Sequence, residues 1–159
     1  MAFTVKPIGT IYTPYKEKHG VPIQGIFDPD SKGRVVILKE FEPGLKDIEG
    51  FSHLILLYLF DRSKGYELVC KPYLEDKEHG VFATRAPKRP NPIGLSIVRL
   101  ERKEGPILYI AQVDILNETP LLDIKPFIPD VDHREKVRVG WLEGLLEKSN
   151  PRTVSDDRF

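Results

Sequence analysis

Short apolar runs, separated by clusters of turn residues, make up most of this chain. The runs cover residues 4–13, 34–38, 51–60, 80–84, 95–102, 107–115 and 121–128. Each is rich in β-branched and apolar residues and bounded by Gly, Pro, Asp or Ser, which predicts a series of β-strands. Residues 51–60 are apolar enough to predict a strand that is buried on both faces.

Alternation within two of these runs predicts which side chains share a face. Leu95 and Ile97 alternate with polar neighbours, and Ile107, Tyr109 and Ala111 alternate more cleanly in the next run. The turn dipeptide at residues 105–106, Gly-Pro, separates the two runs, so they are predicted to form a hairpin.

Helical signals are short and lie at the periphery. Residues 43–49 predict one or two turns, and residues 134–148 carry Leu142, Leu145 and Leu146 at helical spacing, weakened by Gly140 and Gly144. Many short strands with few helices predict a mainly β fold, a small closed antiparallel β-barrel with short peripheral helices. We expect a single barrel domain over residues 1–148, including a C-terminal helix, and a polar, flexible tail over residues 149–159.

Composition narrows the function classes. The chain has 159 residues and a formal net charge of +0, so bulk charge does not indicate a nucleic-acid partner, which must be held by a local patch. Cys70 is the single cysteine and the four histidines are scattered, which predicts neither a disulfide nor a metal site. No secretory leader or membrane span is visible, so a cytoplasmic protein is expected. Dinucleotide-binding, phosphate-loop and nucleophile-elbow motifs are also missing from the sequence.

Residues 85–96, Arg-Ala-Pro-Lys-Arg-Pro-Asn-Pro-Ile-Gly-Leu-Ser, form the most informative segment. Its three prolines fix φ and push their preceding residues toward extended geometry, which predicts a stiff, extended loop. Arg85 and Arg89 can each fork onto a carboxylate or phosphate, and Asn91 can match the donor and acceptor of an adenine edge. A plain proline-rich surface turn is the alternative.

Three further segments carry weaker signals. Gln24 follows a charged stretch and can contact a polar ligand, although an ordinary loop explains it equally well. His53 begins an apolar strand, where a histidine is more often a structural residue than a functional one. Asp123 and Lys125 lie two apart and share one face of a strand, as a surface ion pair also would.

Taken together, these segments resemble the TsaA/YaeB family, also called TrmO. The resemblance rests on residues 8–18, 51–54, 82–85, 89–96, 119–120 and 123–126, in order along most of the chain. It implies a small β-barrel S-adenosylmethionine-dependent methyltransferase that forms a homodimer with the cofactor near the interface. It also implies methylation of N6 of threonylcarbamoyladenosine at position 37 of tRNA, in the anticodon loop, without a metal or a membrane.

Carried over residue by residue, the resemblance implies a set of cofactor contacts. They are Pro22, Ile23, Gln24, His53, Leu54, Arg85, Leu95, Asn117, Glu118, Thr119 and Pro120. For the reaction itself, our hypothesis is that Asn91 accepts a hydrogen bond from N6–H of the base and that Arg85 attracts RNA phosphate or the threonylcarbamoyl carboxylate. Asp123 and His53 are the candidate general bases. Cations that would bind substrate are Lys88, Arg89 and Lys125.

One departure from the family pattern bears on activity. The family often has Asp-Gly before Thr-Pro, whereas this chain has Asn117 and Glu118, which moves a carboxylate and removes a glycine that reaches positive φ easily. A non-enzymatic S-adenosylmethionine- or RNA-binding module, and a methyltransferase for another acceptor, therefore remain open as alternatives.

Overall fold

The computed structural model describes residues 1–146, in which six antiparallel strands close into a barrel. The described residues form eight strands in all, which are β1 (Gly9–Tyr12), β2 (Lys32–Ile37), β3 (His53–Leu59), β4 (Val69–Cys70), β5 (His79–Gly80), β6 (Ile93–Glu104), β7 (Ile107–Ala111) and β8 (Thr119–Pro126). Their order around the barrel is β1-β2-β7-β6-β3-β8, and β8 pairs with β1 to close it. The small β4-β5 pair stands apart. The predicted fold class, a mainly β protein built on a closed antiparallel barrel, is confirmed.

The helical segments are short, as expected. One α-helix, α1 (Pro129–Asp132), follows the last strand. The 3₁₀ turns are Gly25–Phe27, Lys39–Leu45, Ile48–Gly50, Val81–Ala83 and Gly140–Leu142. The second and third of them occupy the region where one or two helical turns were predicted, at residues 43–49.

Inward-facing side chains of the strands fill the barrel. Leu54 and Leu56 are fully buried, and Tyr58 is 4% exposed. Their neighbours along β3 are only half-buried, so the prediction of a strand buried on both faces was wrong. Burial alternates along β3 because only one face of a barrel strand points into the interior. The apolar residues on its outer face therefore need a different explanation.

On β6 and β7, the alternating residues singled out in the sequence point mostly out of the barrel, whereas an apolar face is usually expected to point inward. On β6, Ser96 and Val98 point into the barrel, whereas Leu95 and Ile97 are 43% and 42% exposed. On β7, the residues flanking Tyr109 are buried and Tyr109 itself faces outward. The β6-β7 hairpin around residues 105–106 is nevertheless confirmed.

Two predicted elements are wrong. Residues 80–84 form a strand only at Gly80, after which the chain turns into the 3₁₀ segment Val81–Ala83. The described part of residues 134–148 holds one 3₁₀ turn rather than a helix, because Gly140 and Gly144 take φ values of +58° and +73°. Residues 147–148 of that prediction, and the predicted tail at residues 149–159, lie outside the described residues. The domain boundaries stay a prediction.

Candidate active site

A cleft of about 350 Å³ opens at one end of the barrel. Its walls come from the residue 21–24 loop, the carboxyl end of β3 with residues 60–63, the proline-rich loop, the start of β6, and residues 114–119. Two of the four segments singled out in the sequence, the one around Gln24 and the proline-rich loop, therefore meet here, although they are far apart along the chain.

The proline-rich loop is held in place by one of its own cations. The guanidinium Nη1 of Arg89 donates to the backbone carbonyls of Thr84, at 3.0 Å, and Ala86, at 3.2 Å. Arg85 is exposed and its Nη1 donates to Oε1 of Gln24 at 3.3 Å. Arg89 thus braces the loop, while Arg85 keeps donors available to a ligand.

Behind this loop lies a buried chain of polar groups. Ser96 Oγ donates to Oδ1 of Asp114 at 2.5 Å, so the Tyr58 hydroxyl, 2.9 Å from Ser96 Oγ, is the donor to Ser96. The second oxygen, Oδ2 of Asp114, accepts the backbone N–H of Gly25 at 3.2 Å. Asp114 and Tyr58 both line the cleft.

Burial dominates the electrostatics of this chain. It raises the pKa of Asp114 to about 6, against the smaller opposing effects of Ser96, Gly25 and Arg85. The pKa of Tyr58 is raised as well, first by burial and then by the nearby Asp114 carboxylate. A carboxyl group that titrates near neutrality inside a cleft is a candidate for proton transfer.

Sequence reasoning missed Asp114, Ser96 and Tyr58. The available signal was weak: Asp114 stands between Val113 and Ile115, two apolar residues that the structure buries. Burying a carboxylate within an apolar run costs free energy unless it has polar partners or a functional role, and this cost was the signal that sequence reasoning could have used.

Close packing against two aromatic rings explains why position 94, in the proline-rich segment, is a glycine. A Cβ built there would lie 2.2 Å from the Tyr58 ring and 2.9 Å from the Phe60 ring. The two rings pack edge to face, with centroids 5.4 Å apart, directly over this glycine. Any side chain at position 94 would displace Tyr58 from the polar chain.

Six of the eleven predicted cofactor contacts line the cleft: Pro22, Ile23, Gln24, Arg85, Leu95 and Thr119. Of the predicted substrate residues, Arg89 also lines it. Asn91 is exposed beside the cleft, and Lys88 pairs with Glu67 at 3.8 Å. The roles themselves stay predictions.

The residue 117–120 segment supports the cleft from outside. Asn117 Oδ1 accepts the backbone N–H of Thr13 at 3.0 Å, and its carbonyl accepts a hydrogen bond from Arg62. Glu118 adopts φ of +63°, and Pro120 pairs with Thr10 across β8 and β1. The φ value shows why a glycine suits position 118.

Four predicted site residues lie toward the other end of the barrel. His53 and Leu54 begin β3, whose opposite end reaches the cleft, and Leu54 is fully buried in the core. Asp123 and Lys125 form the predicted surface ion pair, at 2.8 Å. Asp123 borders a second groove, of about 510 Å³, instead of the cleft. Within one subunit these residues and the cleft are separate.

The comparisons with known proteins agree with this geometry. The family model described as the tRNA-methyltransferase O N-terminal domain matches residues 10–133. The chain belongs to the tRNA-methyltransferase O family, which confirms the family predicted from the sequence.

Relatives differ in how much of their length the chain spans. A probable S-adenosyl-L-methionine-binding protein of Pyrococcus abyssi is 54% identical over 97% of this chain and 83% of its own length. The human tRNA (adenine(37)-N6)-methyltransferase is 35% identical over 94% of this chain but only 36% of its own length. The crystal structure of TrmO from Pseudomonas aeruginosa superposes with a TM-score of 0.76 and 38% identity, over 89% of this chain and 63% of that one.

Residues 1–146 contain neither a membrane-spanning helix nor a metal-binding cluster. No helix there is long and apolar enough to cross a membrane. No group of three or more His, Cys, Asp or Glu side chains there is placed to hold a metal ion.

Proposed function

We propose that this protein is an S-adenosylmethionine-dependent methyltransferase that acts on N6 of adenosine 37 in tRNA. The observation that carries the proposal is the cleft itself, which unites Gln24, Arg85 and Thr119 around the half-buried carboxyl group of Asp114. Membership of the tRNA-methyltransferase O family supports it. So do relatives named as S-adenosyl-L-methionine-binding proteins and as tRNA (adenine(37)-N6)-methyltransferases.

The residues present fit the cofactor. The lining is mostly apolar, with polar groups at a few points, as small-molecule sites usually are. The Ser63 hydroxyl lines the cleft, is buried, and has no hydrogen-bond partner among the described residues. A buried hydroxyl without a partner is costly, so a ligand that bonds it is expected. The apolar side chains of Ile23 and Leu95 would cover the adenine of the cofactor.

The chain's own residues can perform the remaining chemistry. The bound cofactor supplies an activated methyl group on its sulfonium. Arg85 and Gln24 would orient the incoming nucleoside, and the stiff loop would keep that geometry without a large entropy cost. Forming the N6–C bond would break the methyl–sulfur bond of the sulfonium, leaving a neutral thioether, and would release the proton of N6–H. We propose Oδ2 of Asp114 as the acceptor of that proton. Asp61, also at the cleft, is exposed and lacks that placement.

The finer substrate is threonylcarbamoyladenosine. Its carboxylate needs a cationic partner near N6, and Arg85 is exposed at the cleft, where its guanidinium donates to the neutral amide of Gln24. Lys88, in contrast, faces Glu67. An Arg fork on a carboxylate is a strong, charge-assisted contact, so modification of the adenosine should improve binding. A tRNA substrate is also consistent with the predicted cytoplasmic location, which stays a prediction.

The outer wall of β3 and β6 supports the proposed homodimer. Cross-strand pairs join Leu59 to Ile93, Leu57 to Leu95 and Ile55 to Ile97. Ile93, Leu95 and Ile97 are each more than 40% exposed, which makes a contiguous apolar wall. Leu95 also lines the cleft, so a second copy on this wall would border the cofactor site.

The test is transfer of labelled methyl groups to defined tRNAs. Transcripts with adenosine or guanosine at position 37, with and without threonylcarbamoylation, are incubated with the protein and labelled cofactor, and the nucleosides are identified by mass spectrometry. We expect product only with adenosine 37 and faster with the modified base. Cofactor binding by calorimetry without any transfer would favour a binding module, and label on the guanosine transcript would indicate another acceptor.

Asp114→Asn separates chemistry from binding. We expect its kcat to fall about 100-fold, the usual size of a lost general base. In the wild-type protein kcat should rise with pH through about 6, because Asp114 must be ionised to accept the proton. Asp61→Asn is the matched control at the same cleft. An unchanged pH profile in Asp114→Asn would contradict the proposed role.

A further inference from the structure

Four aromatic and cationic side chains form a row across the outside of the barrel, away from the apolar wall. Tyr12 on β1 is the cross-strand partner of Arg34 on β2, which is the partner of Tyr109 on β7, which is the partner of Arg102 on β6. Ring and guanidinium therefore alternate over four neighbouring strands. We call these four residues the Tyr/Arg row.

The row faces outward. Each of its first three members has a fully buried neighbour in the chain that points into the barrel: Ile11, Val35 and Leu108. Since successive side chains of a strand point to opposite faces, the row members point to solvent. Arg34 and Arg102 are exposed, and the two tyrosines are half-buried.

The guanidinium groups lie over the tyrosine rings. The Arg34 guanidinium carbon is 4.7 Å from the Tyr12 ring centre, and that of Arg102 is 3.6 Å from the Tyr109 ring centre. A cation over a ring in this way is held by the ring's electrons, and its remaining N–H groups can still donate to a ligand. Within residues 1–146 no carboxylate lies within ion-pair distance of Arg34, whereas Arg102 pairs with Glu104 at 2.9 Å.

A groove beside the row leads toward the cleft. It has a volume of about 470 Å³ and is lined by Tyr12, Arg34, Tyr109 and Asn117, among others. The Asn117 carbonyl accepts a hydrogen bond from Arg62, which lines the cleft. The groove and the cleft therefore share a rim at Asn117.

The dimensions and chemistry of the row suit single-stranded nucleic acid. Three steps between strands of about 4.8 Å give it a length of about 14 Å. Stacked bases rise about 3.4 Å each, so the row spans several of them. Aromatic rings and stacked arginines are the surfaces on which unpaired bases stack, and the arginine N–H edges bind phosphate.

We propose that the Tyr/Arg row is an RNA-binding surface that holds the single-stranded nucleotides next to the one in the cleft. The inference rests on the proposed function for the identity of the RNA. It accounts for binding by a chain of zero net charge, because the attraction comes from a local arrangement of stacked cations rather than from bulk charge.

The experiment removes the charge of the row without touching the cleft. The double variant Arg34→Gln/Arg102→Gln is compared with Lys39→Gln/Lys46→Gln, which removes two exposed cations from the opposite end of β2 and the turn after it. Fluorescence anisotropy measures the affinity for a labelled anticodon stem-loop RNA over a salt series. Calorimetry measures cofactor binding, and methyl transfer gives KM and kcat for tRNA.

We expect the row variant to bind the RNA about tenfold more weakly, with a slope of log affinity against log salt that is shallower by about 2. KM for tRNA should rise with kcat and cofactor affinity unchanged. Tyr109→Leu should weaken binding about fivefold without changing the salt slope, because it removes a ring but keeps both arginine charges of the row. The lysine control should match the wild-type protein.

Two results would overturn the proposal. One is equal RNA affinity in the row variant and the wild-type protein, and the other is equal displacement of the RNA by polyglutamate and by unlabelled RNA, which would indicate an acidic protein partner. Failure of methyl transfer while RNA binding still depends on the row would remove the proposed activity and keep the surface. Methyl transfer with an unchanged KM for tRNA in the row variant would keep the proposed activity and remove the RNA-binding surface.

Discussion

Two outer walls of the same barrel carry opposite chemistry. The apolar wall on β3 and β6 presents Leu95 and Ile97, and the Tyr/Arg row on β1, β2, β7 and β6 presents rings and guanidinium groups. Both walls stand on the same interior of Leu, Ile and Val side chains. The fold therefore fixes only every second residue of each strand, and the other residues are free to specialise for partners.

The largest expected effect is on dimer formation, which should depend on the apolar wall and not on the Tyr/Arg row. Ile97→Glu places a charge on the apolar wall, where pairing with a second copy would bury it. We expect the dimer dissociation constant to rise at least about 100-fold, because an unpaired buried charge costs several kcal/mol. Analytical ultracentrifugation measures it.

Arg34→Glu, on the other wall, is the control for that experiment. It introduces the same side chain at a position exposed to solvent and should leave the sedimentation profile unchanged. Dissociation caused by Arg34→Glu, or a stable dimer in Ile97→Glu, would show that the dimer interface is not the apolar wall.

The next prediction compares a wall with the interior beneath it. Leu56 is fully buried, and its neighbour Leu57 is half-buried on the outside of β3. Leu56→Ala should lower the free energy of unfolding by about 3 kcal/mol, within the range for buried leucines. Leu57→Ala should lower it by about 1 kcal/mol, measured by urea unfolding at a protein concentration where the chain is monomeric. Equal losses would mean that the wall is covered within one subunit.

The third prediction concerns the carboxyl group at the mouth of the barrel. The folded pKa of Asp114, about 6, lies above its ordinary value of 3.8, so the folded state binds a proton more tightly than the unfolded state. Its contribution to stability is therefore fully present below pH 4 and is lost as the pH rises through 6. Relative to wild type, Asp114→Asn should gain up to about 3 kcal/mol between pH 4 and pH 7.5. Thermal unfolding over that range checks this, and a constant difference would contradict it.

The smallest effect sharpens the role of residues 117–118, which lie between the cleft and the groove of the Tyr/Arg row. Glu118 holds a φ of +63°, a conformation that a residue with a Cβ adopts at a cost. Glu118→Gly should therefore stabilise the protein by about 1 kcal/mol. Glu118→Ala is the matched control, since it removes the carboxylate while keeping the Cβ. Equal stability of the two variants would show that the backbone at this position is unstrained.

Local chemistry made much of the fold predictable. The β6-β7 hairpin followed from a turn dipeptide between two alternating runs, and the closed barrel followed from many short strands. The helix predicted for residues 134–148 failed in its described part, because leucine spacing cannot outweigh glycines at positive φ. The faces of β6 and β7 failed for another reason. An apolar face on the outside of a barrel gives the same alternation as an apolar face that packs in the core.

The parts of the site that have a distinctive local sequence could be predicted, whereas the parts that depend on tertiary packing could not. The prolines of residues 85–92 indicated a stiff loop, and the loop does border the cleft. Asp114 became visible only when Ser96 and Gly25 were brought to it from other parts of the chain. His53 and Asp123 match the family's segments but lie away from the cleft, and linear order carries no information about that separation.

Closure of the barrel by β1 and β8 also constrains biosynthesis. The first strand, at Gly9–Tyr12, must wait for Thr119–Pro126 to leave the ribosome before its second edge is covered. Until then the nascent sheet exposes unpaired backbone groups at β1 and β3, which invite pairing with other chains. Such long-range closure slows folding. A ribosome that stalls before residue 119 would release an aggregation-prone fragment rather than a smaller working protein.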